Sequence, residues 1–322
     1  MLQRYILLWL VLSSGIAFLW PEFGFSFDPF VAAGGSAINS LIIVTMFGVG
    51  ALLPVKEVNQ VAQKWPTVLA GTAIQYVSMP LCAWLVVQVL QPDPEIATGI
   101  LIVGCVPGAM ASNVLTLAAK GNVSYSVSLT TSATLLSPLV VPVTLWLTLD
   151  GSVRYDGAQA VQTLLLRIVL PVVCGHLLSR YSTGFRRLAD RWASMVANVS
   201  ILAIIAIAVG LNREGIGQGT GMLIAGLFGL NVAGYLSGYA GGTAVRLPEG
   251  MRRALTLEVG MQNAGAGIVL ARQLFGEQSA AVIPCILYTF GCMLTGTILA
   301  TVWHRRPPAE VATAALSTAG SK

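Results

Sequence analysis

Gly104-Cys105-Val106-Pro107-Gly108-Ala109-Met110-Ala111-Ser112-Asn113 and Glu258-Val259-Gly260-Met261-Gln262-Asn263-Ala264-Gly265-Ala266-Gly267 are the two stretches on which the fold turns. Each lies inside an apolar run long enough to cross a bilayer, and each should interrupt a helix there. Pro107 removes a backbone donor and Gly108 frees φ, so the first helix breaks at that point. The second stretch is again flexible and polar at mid-depth, and it opens with a carboxylate. Membrane helices tolerate such breaks where neighbouring groups re-satisfy the freed backbone. Asn113 and Asn263 stand at corresponding places in the two halves of the 322-residue chain.

The surrounding composition is that of a protein with little water-facing surface. Only 10% of residues are charged and 55% are hydrophobic, against roughly 25% charged in a soluble domain. Eighteen Lys and Arg and thirteen Asp and Glu are too few to cover a soluble surface of this size. These numbers exclude a soluble enzyme, a nucleic-acid binder and a disordered protein; the net charge of +5 belongs instead to loops on one side of a membrane. The five cysteines (Cys82, Cys105, Cys174, Cys285, Cys292) have no CxxC spacing and support neither a disulfide framework nor a zinc site. The apolar run that ends at Trp20 has no small-residue cleavage site before Pro21 and reads as a short first helix, not a leader.

About 20 mostly apolar residues make a span. Charged and Pro-rich breaks divide the chain into ten, near 5–20, 34–53, 66–90, 95–119, 123–148, 159–179, 192–211, 217–245, 251–274 and 279–303, with nine as the alternative count. With the N-terminus inside, fourteen of the eighteen basic residues fall on the cytoplasmic side: Arg4, Lys56, Lys64, Lys120, Arg180, Arg186, Arg187, Arg191, Arg246, Arg252, Arg253, Arg305, Arg306 and Lys322. Arg154, Arg213 and Arg272 fall opposite. This asymmetry favours ten spans with both termini cytoplasmic. Every acid then lies in a loop except Glu258. Five spans per half require the second half to enter the membrane inverted, and paired interruptions at matching positions are the best sequence pointer to a transporter's binding site.

A lone mid-membrane carboxylate costs several kcal/mol unless protonated or paired, and no Lys, Arg or His is expected at the depth of Glu258. Hydroxyls and amides surround it in the pattern: Gln75, Ser112, Asn113, Ser126, Ser128, Thr130, Thr131, Gln262 and Asn263. Neutral oxygens with one carboxylate suit a hard cation such as Na⁺. A proton on Glu258 would leave those oxygens without a purpose.

In these stretches, in Gly121-Asn122-Val123 leading to Ser126 and Thr130, and over nearly the whole chain, the sequence resembles the bile acid:sodium symporter family. The resemblance implies an all-α polytopic protein of ten helices in two inverted five-helix repeats, with helices four and nine broken and crossing. It implies a panel from about 1–65 and 150–215, a core from about 66–149 and 216–305, and a flexible cytoplasmic tail at 306–322. It implies one sodium site at Ser112, Asn113, Ser126, Thr130 and Glu258. A second would use Gln75, Glu258, Gln262 and backbone carbonyls near Val259 and Met261. Asn263, Met110, Asn113 and Met293 become the expected substrate contacts. Two transported Na⁺ ions against one carboxylate leave a local +1 that an organic anion would balance. The expected activity is therefore sodium-driven uptake of an organic anion by alternating access, by a monomer in a bacterial inner membrane. Where the family carries a polar stretch in span ten, this chain has Gly291-Cys292-Met293, and Met110 replaces a small hydroxyl residue. Both changes make the pocket more apolar, and leave bile acid-like, pantoate-like and 2-oxo acids open as substrates.

Rival readings are an ion channel, a proton-coupled organic acid transporter, a membrane enzyme and a receptor. Only His176 and His304 are available for an enzyme's base or metal set, and no phosphate-binding GxxxxGK occurs. His176 reads as a packed or interfacial residue. Arg167 either snorkels to the outer interface or attracts an anion. Asn231 either lines the cavity or bonds a neighbouring helix. Gly234, Gly238 and Gly242 read as close helix packing, and Trp9, Trp20, Trp65 and Trp303 as interfacial anchors.

Overall fold

The computed structural model describes residues 5–53, 65–151, 153–217 and 221–306. Arg4, Lys56, Glu57, Lys64, Glu310, Lys322 and the expected flexible tail beyond residue 306 lie outside the described residues. All the described elements are helices: α1 (Ile6–Leu19), α2 (Pro29–Ala51), α3 (Trp65–Leu90), α4 (Pro94–Cys105), α5 (Ala111–Ala118), α6 (Val123–Thr148), α7 (Gly157–Tyr181), α8 (Thr183–Leu211), α9 (Gly221–Ala244), α10 (Glu249–Gly260), α11 (Ala264–Phe275) and α12 (Val282–His304). Among the described residues, eight helices are long and apolar enough to cross a bilayer. Of the shorter ones, α4, α5, α10 and α11 are the halves of the two interrupted stretches; a 3-10 turn, Trp20–Phe23, follows α1, and a single-turn helix, Arg213–Gly217, follows α8.

Local chemistry sets most of the boundaries. Asp28 caps α2 by accepting from the Phe30 and Val31 amides, with Pro29 at the first helical position. The helix therefore starts five residues before the expected 34, and Gly34, at φ 61°, bends it there. Ser182 caps α8 through the Phe185 amide, so that this helix begins at Thr183, well ahead of the expected 192. Its charged first turns are good helix formers, and only its later turns are apolar. In α7 the turn Leu165–Val169 is widened to a π-helix immediately before Pro171. The proline ring cannot sit under the carbonyl four residues back, and the wider turn relieves that clash.

Packing joins α2 to α7 and α8, α1 to α8, α3 to α4, α6 and α9, and α9 to α10. The glycine ladder of α9 does what its spacing suggests. A Cβ at Gly238 would stand 2.8 Å from the Thr256 Cα, and one at Gly234 would stand 3.0 Å from the Gly260 Cα, so backbone meets backbone along α10.

At the end of the bundle where α5 and α12 finish and α6 and α10 begin, Arg253 ties three elements together, α10, α5 and α12. Its Nε donates to Glu249 (2.9 Å), Nη1 to the Ala119 and Trp303 carbonyls, and Nη2 to the Arg306 carbonyl, while the guanidinium lies 5.4 Å from the Trp303 ring. The Asn122 amide adds a bond to the Gly250 carbonyl, and His304 Nδ1 pairs with the Ala118 carbonyl. The Ala118, Ala119, Trp303 and Arg306 carbonyls are those that a helix C-terminus leaves orphaned, and a cation there also answers the helix dipole. Arg253→Gln should cost about 3 kcal/mol, because it strips charged donors from several buried acceptors at once. The check is the thermal unfolding midpoint in sodium-free detergent, which falls well below that of Arg252→Gln.

Candidate functional site

The two breaks meet. The segment Pro107–Ala109, between α4 and α5, runs antiparallel to Met261–Asn263, between α10 and α11, with Gly108 opposite Gln262. The Ala109 amide donates to the Met261 carbonyl (2.7 Å) and the Asn263 amide to the Pro107 carbonyl (2.8 Å). Backbone groups that no helix can satisfy are thus satisfied by each other in a water-poor interior. The Asn263 side chain caps α11 through the Ala266 amide. The last carbonyl of α10, that of Gly260, accepts from both Asn231 Nδ2 (2.7 Å) and Tyr288 Oη (2.8 Å).

Glu258 stands one turn before that break and is fully buried. Its Oε2 accepts from Ser112 Oγ at 2.5 Å and from Thr130 Oγ1 at 2.8 Å. Its Oε1 has no hydrogen-bond partner. Gly108 leaves the space this carboxylate fills, since a Cβ there would land on Oε1 and Cδ. The buried amides of Gln75, on α3, and of Gln262 also hold an unpartnered oxygen each. Three oxygens are therefore buried without a donor, each at a cost of about 1–3 kcal/mol.

The other expected site residues take distinct places. Asn113 Oδ1 stands 3.4 Å from Thr130 Oγ1, whose one hydrogen is shared among Asn113, Glu258 and the Ser126 carbonyl, and its Nδ2 points to the Met110 sulfur. Ser126 bonds Thr116 Oγ1 (3.2 Å) rather than Glu258, while its carbonyl takes Thr130 Oγ1 (3.1 Å). The Val259 carbonyl already accepts from Gln262 Nε2, and the Met261 carbonyl from Ala109, so each keeps one lone pair for anything else.

Below the crossing lies a cavity of about 260 Å³. Met110, Gln262, Asn263 and Met293 form its inner wall, and it extends along the late turns of α2 and the middle turns of α8, toward the Arg253 end. Asn113, expected as a substrate contact, does not line it; nor do Arg167, His176 or Asn231. Asn231 bonds across to α10 and α12, because its Oδ1 accepts from Thr295 while its amide serves Gly260. The lining holds amides, hydroxyls and apolar groups, with no charged side chain. Sequence reasoning missed Thr116 and Tyr288, and it missed that Gly108 is needed as a space. Tyr288 carries no local signal; its role exists only because α12 passes the end of α10.

The fold and site define a class: an all-helical, multi-pass membrane protein built around a pair of meeting helix breaks with a buried carboxylate. The sequence pattern of the sodium bile acid symporter family matches residues 40–218, and the chain belongs to that family. It is 33% identical over 284 residues to the uncharacterized sodium-dependent transporter YocS of Bacillus subtilis, with 88% of each chain covered. It is 29% identical over 270 residues to the probable chloroplastic sodium/metabolite cotransporter BASS1 of Arabidopsis thaliana, covering 84% of this chain and 67% of the relative. It is 28% identical over 239 residues to the mouse sodium/bile acid cotransporter 4, covering 70% and 53%. The protein is a sodium-coupled transporter and not an enzyme.

Gly108→Ala should therefore injure the site more than an ordinary helix substitution. The added methyl must displace the Glu258 carboxylate, at about 1–3 kcal/mol for overpacking. Its unfolding midpoint drops, whereas Gly291→Ala, whose Cβ meets open space, leaves the midpoint within a degree or so.

Proposed function

We propose that this chain imports a small organic anion together with two Na⁺ ions by alternating access. The observation that carries the reading is the set of buried oxygens without a donor: Glu258 Oε1, Gln75 Oε1 and Gln262 Oε1. A hard cation is a partner that such oxygens suit, and Gln75 Nε2, also buried without a partner, shows that the amide is not placed for a protein hydrogen bond. One ion takes Glu258 with Ser112, Asn113 and Thr130, and Ser126 supports it through the turn that it shares with Thr130. The second takes Gln75, Glu258 and Gln262 with the free lone pairs at Val259 and Met261. Two ions on one carboxylate leave a positive centre behind Asn263 and Met110, and the substrate's negative charge balances it. The cavity's apolar lining, with Met110 and Met293 in its wall, favours an organic acid with an apolar body.

Each pair of short helices, α4 with α5 and α10 with α11, acts as one interrupted span. That makes ten spans in two inverted halves, with α1, α2, α7 and α8 as the panel and the remaining helices as the core. The distribution of basic residues supports cytoplasmic termini and a bacterial inner-membrane location. The cavity then faces the cytoplasm, and the Asp28–Arg272 end faces out. Proton coupling would occupy Glu258 alone and leave both glutamine oxygens bare.

Sodium should stabilise the purified protein where potassium at equal ionic strength does not, by about 2.7 kcal/mol at a hundredfold excess over Kd. Glu258→Gln keeps the shape and removes the charge. Its expected phenotype is a midpoint no longer moved by sodium, with sodium-free stability equal to or above that of the parent. A Glu258→Gln protein that still responds fully to sodium would sink the proposed site.

Stoichiometry has its own readout. The sodium titration of the parent should be cooperative, with a Hill slope approaching about two for two linked sites. Gln75→Leu should bring the slope to about one while sodium still binds. A slope of one in the parent would remove the second ion.

A further inference from the structure

The cavity lining holds no cation, yet two arginines, one buried and one half-buried, sit in the seam at the opposite end, between helices that the proposed alternating access must part. Arg272, in the last turn of α11, has a side chain only 2% exposed. Its guanidinium packs against Gly35 of α2, where a Cβ would collide with Nη2. Its counter-charge is Glu277, 3.5 Å away and 68% exposed, and its Nη1 is buried with no partner. Arg167 sits in the widened turn of α7 and reaches across to α11, where Nη2 donates to Gln273 Oε1 at 3.1 Å. Its Nη1 is likewise buried and unpartnered. Gln159 closes the same seam through the Gln273 carbonyl (2.7 Å). Asn39 follows Gly35 by one turn on α2 and holds an unpartnered Oδ1.

Three other acids of this end are committed elsewhere. Asp28 pairs with Arg213 at 2.6 Å, Glu95 accepts from Ser279 and the Ala280 amide, and Asp156 caps α7 at Gln159. Both seam guanidinium groups thus keep one nitrogen from water without an acceptor, as does Nη2 of Arg213 beside Asp28, and a native fold retains such groups when a ligand or another state uses them. A planar guanidinium fork matches a carboxylate.

We infer that Arg272 and Arg167 form an outer capture site for the carboxylate of an organic anion, engaged when α2 and α7 swing away from α11. In the closed seam Gln273, a neutral acceptor, takes Arg167 back, so the anion is handed on and not held. The site rests on the orientation and alternating access proposed above.

The test needs no knowledge of the substrate. Asn39→Cys is introduced into the otherwise native chain, and intact cells are treated with membrane-impermeant methanethiosulfonates, the anionic sulfonatoethyl or the cationic trimethylammonioethyl reagent. Labelling is read as protection from a later maleimide-polymer gel shift, with the parent chain as background. The anionic reagent should react at least about tenfold faster than the cationic one, relative to the ratio for free cysteine, as expected near guanidinium groups that each keep a nitrogen unpartnered. Arg272→Gln and Arg167→Gln should each reduce that preference several-fold; the half-buried Arg167 variant serves should Arg272→Gln not accumulate. Equal reactivity toward the two reagents, a preference untouched by the arginine substitutions, or no labelling from outside overturns the inference. The sodium response of Glu258 is measured separately. Its loss with the preference intact would remove the coupling mechanism alone, and the reverse would remove the capture site alone.

Discussion

The centre of this protein is organised by the cost of keeping one carboxylate dry. Glu258 is wholly buried, and an ionised group there is tolerable only with close partners. Ser112 and Thr130 supply two donors to one oxygen, from two different helices. The other oxygen needs room, which is why the crossing segment carries Gly108. Ser112 and Glu258 in turn each depend on a helix end. Ser112 sits in the first turn of α5, which exists because Pro107 stops α4, and Glu258 sits in the last turn of α10, which stops at Gly260.

Pairing of the two breaks has a mechanical consequence. Pro107–Ala109 and Met261–Asn263 share backbone hydrogen bonds, and Arg253 locks the far ends of α5 and α10 to α12. The half-helices are therefore fixed at two points, and α5 cannot shift without α10. Met110 lies two residues before Ser112, and Asn263 follows Gln262 directly. The wall of the cavity and the proposed ion ligands are thus parts of the same two backbone segments. An ion that moves Glu258 or Gln262 also moves Met110 and Asn263, and by linkage a substrate that orders those two must tighten the ions equally.

The parts legible in the sequence are those that local chemistry determines. Pro107-Gly108 and the amide-rich stretch after Glu258 marked both breaks, and the spacing of Gly234 and Gly238 marked the close packing of α9. Scarcity of charge isolated Glu258. Meeting at a distance was not legible. Nothing near Tyr288 shows that it will serve Gly260, and the pairing of Ser126 with Thr116 follows from how α5 leans on α6. Asn113 bonds inward to Thr130 and not into the cavity, because the first turn of α5 points that face at α6. The early start of α2 was written in Asp28-Pro29, but the apolar count hid it, since a hydropathy window registers where lipid contact begins and a cap sets where the helix begins. The π-turn at Leu165–Val169 was equally implicit in Pro171.

The distribution of positive charge carries the last step. A fixed arginine in the cavity would bind an organic anion with or without sodium, and a carrier so built could return loaded but uncoupled. In the proposed mechanism the anion's partner is the pair of ions themselves, so the cavity is attractive only after sodium has bound; amides and hydroxyls then orient the substrate without holding it alone. Coupling of this kind requires that permanent cations be kept out of the cavity, as the lining shows. It does not forbid them where only one conformation exposes them. Arg167 and Arg272 meet that condition, because the closed seam returns Arg167 to Gln273 and covers Arg272 with Gly35. Attraction at the entrance and neutrality in the cavity are then two sides of one requirement: the anion is drawn in by fixed charge, and it is carried only by ions that travel with it.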